Sequence, residues 1–179
     1  PISPSFSLAD YVTGIYVAFA AAMALYHRDC HEDGKGQYVD ISLYESMFRM
    51  MEFLVTDYDQ TGTIKERSPG LSGHSAPAGN FLTKDGHWVI IVTSSDKTFK
   101  RLAEAMNRED MLTDERYFTN SVRLQRFDEV NGILADWVKN KTKDELQKIL
   151  DLNGVPMSAI YSIKDIFEDP HYQERENIV

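Results

Sequence analysis

The sequence predicts an α/β fold, and three observations carry that expectation. A long alanine-rich apolar run near the start has the length of a helix. The stretches "QYVDISL" and "GNFLTKDGHWVIIVT" read as strands, the first by its alternation and the second by its apolar pair around a tight turn. Near residue 62 the composition turns polar and is broken by Gly and Pro, which marks a crossing from one domain to another.

The elements follow in order. "PISPSF" reads as an entry loop, with no initiator Met before it, as if the chain begins inside a longer one. Ser7 stands where a helix cap is expected, and Asp10 falls at N3, a position that suits an acid. The helix so opened should run to about Asp29, followed by a glycine-rich turn in "CHEDGKGQ" and then the strand "QYVDISL". A second helix is expected from Tyr44 to about Asp59, with Met47, Met50, Met51, Phe53 and Leu54 packed as core. "TGTIKERSPGLSGHSAPAGNF" is the long loop. Beyond it, Lys84-Asp85-Gly86 should turn a hairpin, and "SSDKTFKRLAEAMN" should form a capped amphipathic helix. "TDERYFTN" reads as a loop into a longer helix over about 122–140. Thr142 and Glu145 have capping-box spacing for a helix to about Leu152. "NGVPMSAIYS" is a turn into a short strand, and "IKDIFEDPHYQERENIV" holds two short helical turns. The last apolar pair, Ile178 and Val179, reads as the approach to a further strand.

Composition bounds the function. The chain has 179 residues, 42% of them hydrophobic and 26% charged, which suits a folded soluble protein. Its 19 basic residues against 28 acidic ones give a net charge of −9 and no basic block. Phosphate backbones and anionic membrane surfaces are therefore poor partners. The run Leu8–Tyr26 approaches a membrane span in length, but it holds six alanines, a glycine and Asp10. A buried helix with close neighbours is the expected explanation. The basic region and cleavage site of a secretory signal are not found in these residues. The single cysteine, Cys30, rules out an internal disulfide and fits a cytoplasmic location.

Several groups are candidates for chemistry. Asp10 is a lone acid at the head of an apolar helix, where the positive end of the macrodipole and unpaired amides favour a charged carboxylate. Gly14, one turn on, leaves room for a ligand. Asp10 reads either as a nucleophile or general base in a cramped apolar place, or as a capping acid satisfied by its own backbone. His27, Cys30, His31 and Asp33 are metal-friendly types, but their spacing matches no zinc site and they read as a solvated helix end, so no metal is expected. The glycine-rich stretch with Gly70, Gly73, Gly79 and His74 lacks the Gly-Lys-Ser/Thr of a phosphate loop. It is either a connector or a lid that brings amides over a ligand. Trp137 reads as core, and the acids of "DELQKILD" and "EDPHYQERE" as solvated faces.

Several of these stretches together resemble one family. "ADYVTGIYVAFAAAMALYHRD" followed by "GKGQYVDISLYES" is similar to the centre of the class III CoA-transferases, the CaiB/BaiF group. "APAGNFLTKDGHWVIIV", "TDERYFTN…R", "DEV…W" and "NGVPMSAIYSIKDIFEDPHYQERENIV" follow that family in the same order, so the resemblance covers nearly the whole chain.

The resemblance implies a partial Rossmann-like large domain (helix, strand, helix) over residues 1–62. A smaller α+β domain over 63–165 and the start of a return to the large domain over 166–179 would complete the chain. It places Asp10 where the family keeps its catalytic aspartate, which attacks an acyl-CoA and passes through a mixed anhydride and an aspartyl-CoA thioester. It places Gly70, Gly73 and His74 in the family's glycine-rich lid, although consecutive glycines of the formyl-CoA kind are missing. The implied substrates are an acyl-CoA and a small carboxylic acid, with coenzyme A thioester as substrate rather than resident cofactor. The implied assembly is an interlocked homodimer. Family members are much longer, which implies an internal fragment, inactive alone, with most CoA contacts elsewhere. The resemblance equally admits an α-methylacyl-CoA racemase, in which the same Asp works as acid/base with a His outside these residues. Against both stands a non-catalytic binding or structural module.

Overall fold

The structure, a computed structural model, describes residues 4–66 and 73–178. It is a mixed α/β chain that divides into two compact units, one ending at Glu66 and the other taking the remainder.

The first unit is helical. α1 (Leu8–Cys30) ends at His31, whose backbone turns extended while its amide still bonds the His27 carbonyl at 3.0 Å. α2 (Leu43–Arg49) packs against α1 and is capped by Ser42, whose hydroxyl accepts from the Glu45 amide at 3.4 Å. α3 (Leu54–Thr61) ends at Gly62, which is left-handed at φ +70°. Thr13 and Ser46 are the only buried residues among those described in this unit.

Four expectations fail here, for related reasons. Residues 37–42 form no strand, because no partner strand lies beside them among the described residues and a strand exists only in its ladder. The helix expected over 44–59 breaks at 50–53, where Glu52 takes φ +48°. Met50, Met51 and Phe53 are exposed rather than core, and Met47 and Leu54 are only half-buried. α1 is not buried in this chain: Ile15 is 72% and Phe19 67% exposed. With a mean hydropathy of 1.6 over its most apolar stretch, α1 is long and apolar enough to cross a membrane by length and composition alone.

The second unit builds its own core on a three-stranded antiparallel sheet of order β1-β2-β3, with β1 (Ala78–Leu82), β2 (Trp88–Val92) and β3 (Met157–Ala159). Gly86 turns the β1–β2 hairpin at φ +81°, a conformation open to glycine at no steric cost. Asp85 beside it accepts from the Thr83 hydroxyl at 2.6 Å and from the Lys143 amide at 3.1 Å, tying the turn to the start of a distant helix. One face of the sheet carries Phe81, Val89 and Ile91 into the core.

Helices cover that face. α4 (Asp96–Ala105) is capped by the Ser95 hydroxyl and buries Phe99, Leu102 and Ala103. α5 (Asp110–Thr113), a 3-10 turn (Glu115–Tyr117) and α6 (Asn120–Leu124) lead to α7 (Phe127–Val138), which buries Val130, Leu134 and Val138 at helical spacing. α8 (Lys143–Leu152) opens with the full capping box of Thr142 and Glu145 and buries Leu146 and Leu150. α9 (Ile163–Glu168) and α10 (Pro170–Glu174) close the described chain. The helix expected over 122–140 is two helices, broken at Gln125 and Arg126. The break frees α6 to aim Arg123 inward independently of the apolar stripe on α7. Trp137 packs half-buried against the core, with the Lys141 ammonium 5.1 Å from its ring centre.

Candidate functional site

Asp10 occupies N3 of α1, as its spacing from Ser7 requires, but the surroundings differ from expectation. Ser7 stands at the cap position without capping: its hydroxyl takes no first-turn amide, and only its carbonyl is used, by the Tyr11 amide at 3.2 Å. Asp10 is exposed, not cramped, and among the described residues its carboxylate makes no hydrogen bond or ion pair. A cap role needs a bond from that carboxylate to its own backbone, and none forms. What remains is an accessible carboxylate at the positive end of a 23-residue helix. Gly14 faces open space, so a side chain there would meet nothing described within 4 Å. A groove of about 540 Å³ runs between α1 and residues 36–41, lined by Val17, Ala21, Leu25, Arg28, Val39 and Ile41. Asp10 does not line it.

The far end of α1 holds the histidine and cysteine group. The His27 and His31 rings stack with centres 3.9 Å apart, Cys30 is a free exposed thiol, and no metal-holding cluster forms among the described residues.

The glycine-rich loop belongs to the second unit, and Gly70 lies outside the described residues. Gly73 takes φ +108°, which strongly favours glycine, and His74 beside it is exposed. From there the chain dives: Ser75 through Ala78 are buried, with Ala76-Pro77 in the cis form. The buried backbone is held by side chains. Asn120 donates to the His74 carbonyl at 2.8 Å and accepts from the Ala76 amide at 3.0 Å. Arg123, fully buried, donates to the carbonyls of Ala76 at 2.7 Å and Tyr117 at 2.8 Å. Its third branch meets Asp96 at 2.8 Å, and the guanidinium lies 4.0 Å over the Phe99 ring. Asn131 pairs with both the amide and the carbonyl of Ala78, at 3.0 and 3.1 Å.

None of Asn120, Arg123 and Asn131 was singled out from the sequence: Asn120 ends a stretch that reads as a loop, and Arg123 and Asn131 fall within the helix expected over about 122–140. The available signal was Arg123 itself, three residues after Asn120 and four before the apolar α7, a place where a charged residue needs partners. Alongside, the Tyr117 hydroxyl donates to Glu129 at 2.6 Å; that bond holds the Glu129 carboxyl below, and the Tyr117 phenol above, their ordinary ranges. Arg116 draws Asp114 down in the same way.

Residues 1–179 match the family described as CoA-transferase family III. Among curated relatives, the succinyl-CoA–D-citramalate CoA-transferase of Chloroflexus aurantiacus is 35% identical over 179 residues, covering 100% of this chain and 44% of that protein. The succinyl-CoA–L-malate CoA-transferase beta subunit of the same organism is 38% identical, with coverage of 100% and 44%. A crystal structure of a CaiB/BaiF family protein from Brucella suis superposes with a TM-score of 0.80 at 28% identity, covering 98% of this chain and 46% of that one. The chain thus spans less than half the length of these relatives.

Proposed function

Because the chain belongs to CoA-transferase family III, we propose that it forms part of an enzyme that moves coenzyme A from an acyl-CoA thioester to a carboxylic acid, with Asp10 as the nucleophile. The observation that carries this reading is the Asp10 carboxylate: exposed, without a bond among the described residues, and set in the first turn of α1. An engaged carboxylate would be a poor nucleophile; this one is free to attack.

The steps follow from that group. The carboxylate attacks the thioester carbonyl and the CoA thiolate leaves, giving a mixed anhydride. The thiolate then attacks the aspartyl carbonyl, releasing the donor acid and leaving an aspartyl-CoA thioester. The acceptor carboxylate attacks that thioester to form a second anhydride, and the thiolate takes the acceptor acyl group away, restoring Asp10. Each exchange is between acyl groups of similar activation, so one hard step is divided into easier ones. The segment with Gly73 and His74, together with Gly70, contributes to acyl-CoA binding. No resident cofactor takes part, since coenzyme A arrives and leaves as substrate.

The names of the Chloroflexus relatives support a short dicarboxylic acyl donor such as succinyl-CoA. The uncovered sides of α1, with Ile15 and Phe19 outward, support a longer protein whose other segments, or an interlocked partner copy, cover them. No membrane or nucleic acid is needed in this reading.

The test uses a protein of the relatives' length that carries this chain. Incubation with succinyl-CoA and hydroxylamine should give an adduct at Asp10, and Asp10→Ala should cut kcat by on the order of a thousandfold or more. The 179-residue chain alone should give no turnover. Transfer surviving in Asp10→Ala, or epimerisation of an acyl-CoA with no adduct, overturns the reading.

A further inference from the structure

We infer that Asn120 is a positioning residue for acyl-CoA binding, acting through His74; the inference rests on the proposed role of the Gly73–His74 segment. Three side chains from α6 and α7 pair with the backbone of alternate residues, 74, 76 and 78, as a neighbouring strand would. They differ in what they hold. Arg123 and Asn131 grip Ala76 and Ala78, which are buried and lead into β1. Asn120 alone of the three reaches the His74 carbonyl, at the point where the chain leaves the core and its side chains become exposed.

The carboxamide suits this place because it is both donor and acceptor. Its oxygen takes the Ala76 amide while its nitrogen supplies the His74 carbonyl. One planar group thereby fixes two peptide units, at 74 and 76, on either side of Ser75. With Gly73 at φ +108° immediately before, the backbone at His74 is bounded by a turn on one side and by Asn120 on the other. A residue that orders a binding segment in advance lowers the entropy lost when ligand arrives, so its removal weakens ligand binding rather than the chemical step.

Asn120→Asp separates the two bonds. The carboxylate keeps an acceptor for the Ala76 amide, loses the donor to the His74 carbonyl, and sets a negative oxygen against that carbonyl. In the relatives'-length protein, Asn120→Asp should raise KM for succinyl-CoA about tenfold while kcat stays within about twofold and KM for the acceptor acid is unchanged. Asn120→Ala should do the same, and Asn120→Gln, which retains both functions on a longer arm, should recover part of the loss. A residue with only a structural role would lower the folded fraction, and so the apparent kcat, without moving KM. Val130→Ala, a core change on α7, is the control for that behaviour.

His74→Ala keeps the two failures apart. If it raises KM for succinyl-CoA while both Asn120 variants leave KM unmoved, the positioning role is overturned and the binding role of the segment stands. If His74→Ala also leaves KM unmoved, the segment does not bind the thioester and the inference falls with that reading. Should Asn120→Ala not fold, Asn120→Asp decides alone.

Discussion

The two units of this chain bury their apolar residues to very different extents. Among the described residues, the second closes fifteen into one core under a small sheet, while the first buries only Thr13 and Ser46. Yet the first carries the more apolar helix. A hydrophobic run is therefore a statement about what a helix requires, not about what it has: α1 has the composition of a core element and, in this chain, the surroundings of a surface one. The second unit shows the converse, with helices of ordinary polarity that close over a sheet because their apolar residues fall at helical spacing.

The sharpest way to break that contrast is a pair of truncations in the 179-residue chain. Leu134→Ala, in the middle of the second core, should cost about 2–5 kcal/mol by urea unfolding. Phe19→Ala, with a side chain already largely in water, should stay within about 0.5 kcal/mol. In a protein of the relatives' length the second value should rise toward the first. An unchanged Phe19 value there would show that nothing covers α1.

A smaller effect sharpens the comparison from the capping side. Thr142→Ala removes the hydroxyl half of a complete capping box and should cost about 0.5–2 kcal/mol, seen as a lowered unfolding midpoint of the second unit. Ser7→Ala, at a cap position whose hydroxyl bonds no amide, should cost much less, read as the change in α1 helicity of the first unit by circular dichroism.

The smallest expected effect is in pH. Asp85, held down chiefly by the Thr83 hydroxyl, Asp114 by Arg116, Glu129 by Tyr117 and Glu145 by the Thr142 amide all have folded pKa values below their ordinary ones. The sign follows: the unfolded chain binds these protons first, so their stabilisation is whole above the ordinary carboxylate range and is lost as pH falls through it and below. The groups are well solvated, so each contributes little. Urea midpoints of the second unit should be flat from about pH 7 to 5 and decline gradually below about 4. A midpoint that rises on acidification would contradict the assignment.

How much of this was legible in the sequence follows the same division. The hairpin at Lys84-Asp85-Gly86, the capped helix in "SSDKTFKRLAEAMN", the Thr142–Glu145 box and β3 could all be read, because turn and cap chemistry is settled within four or five residues. The strand at 37–42 and the buried methionine stripe were misread, since both depend on neighbours distant in sequence and not on the local pattern. The breaks at 50–53 and 125–126 carry neither Gly nor Pro and left no local mark. At the candidate site, Asp10 stood out as the lone acid heading an apolar helix. Its exposure did not, because solvent access is a property of the fold and not of the segment. The Asn120–Arg123–Asn131 set was hard to read for a further reason: apart from Asp96 and Phe99 beside Arg123, its partners are backbone carbonyls and amides, which nearly every residue has.

The order in which the sheet is assembled has one more consequence. β2 is the central strand, with Val89 paired to Phe81 on one side and to Ala159 on the other, so its two neighbours come from opposite ends of the second unit. During synthesis the hairpin can close as soon as it leaves the ribosome, but its far edge stays open while five helices are made. The nascent polypeptide completes that sheet only when β3 emerges.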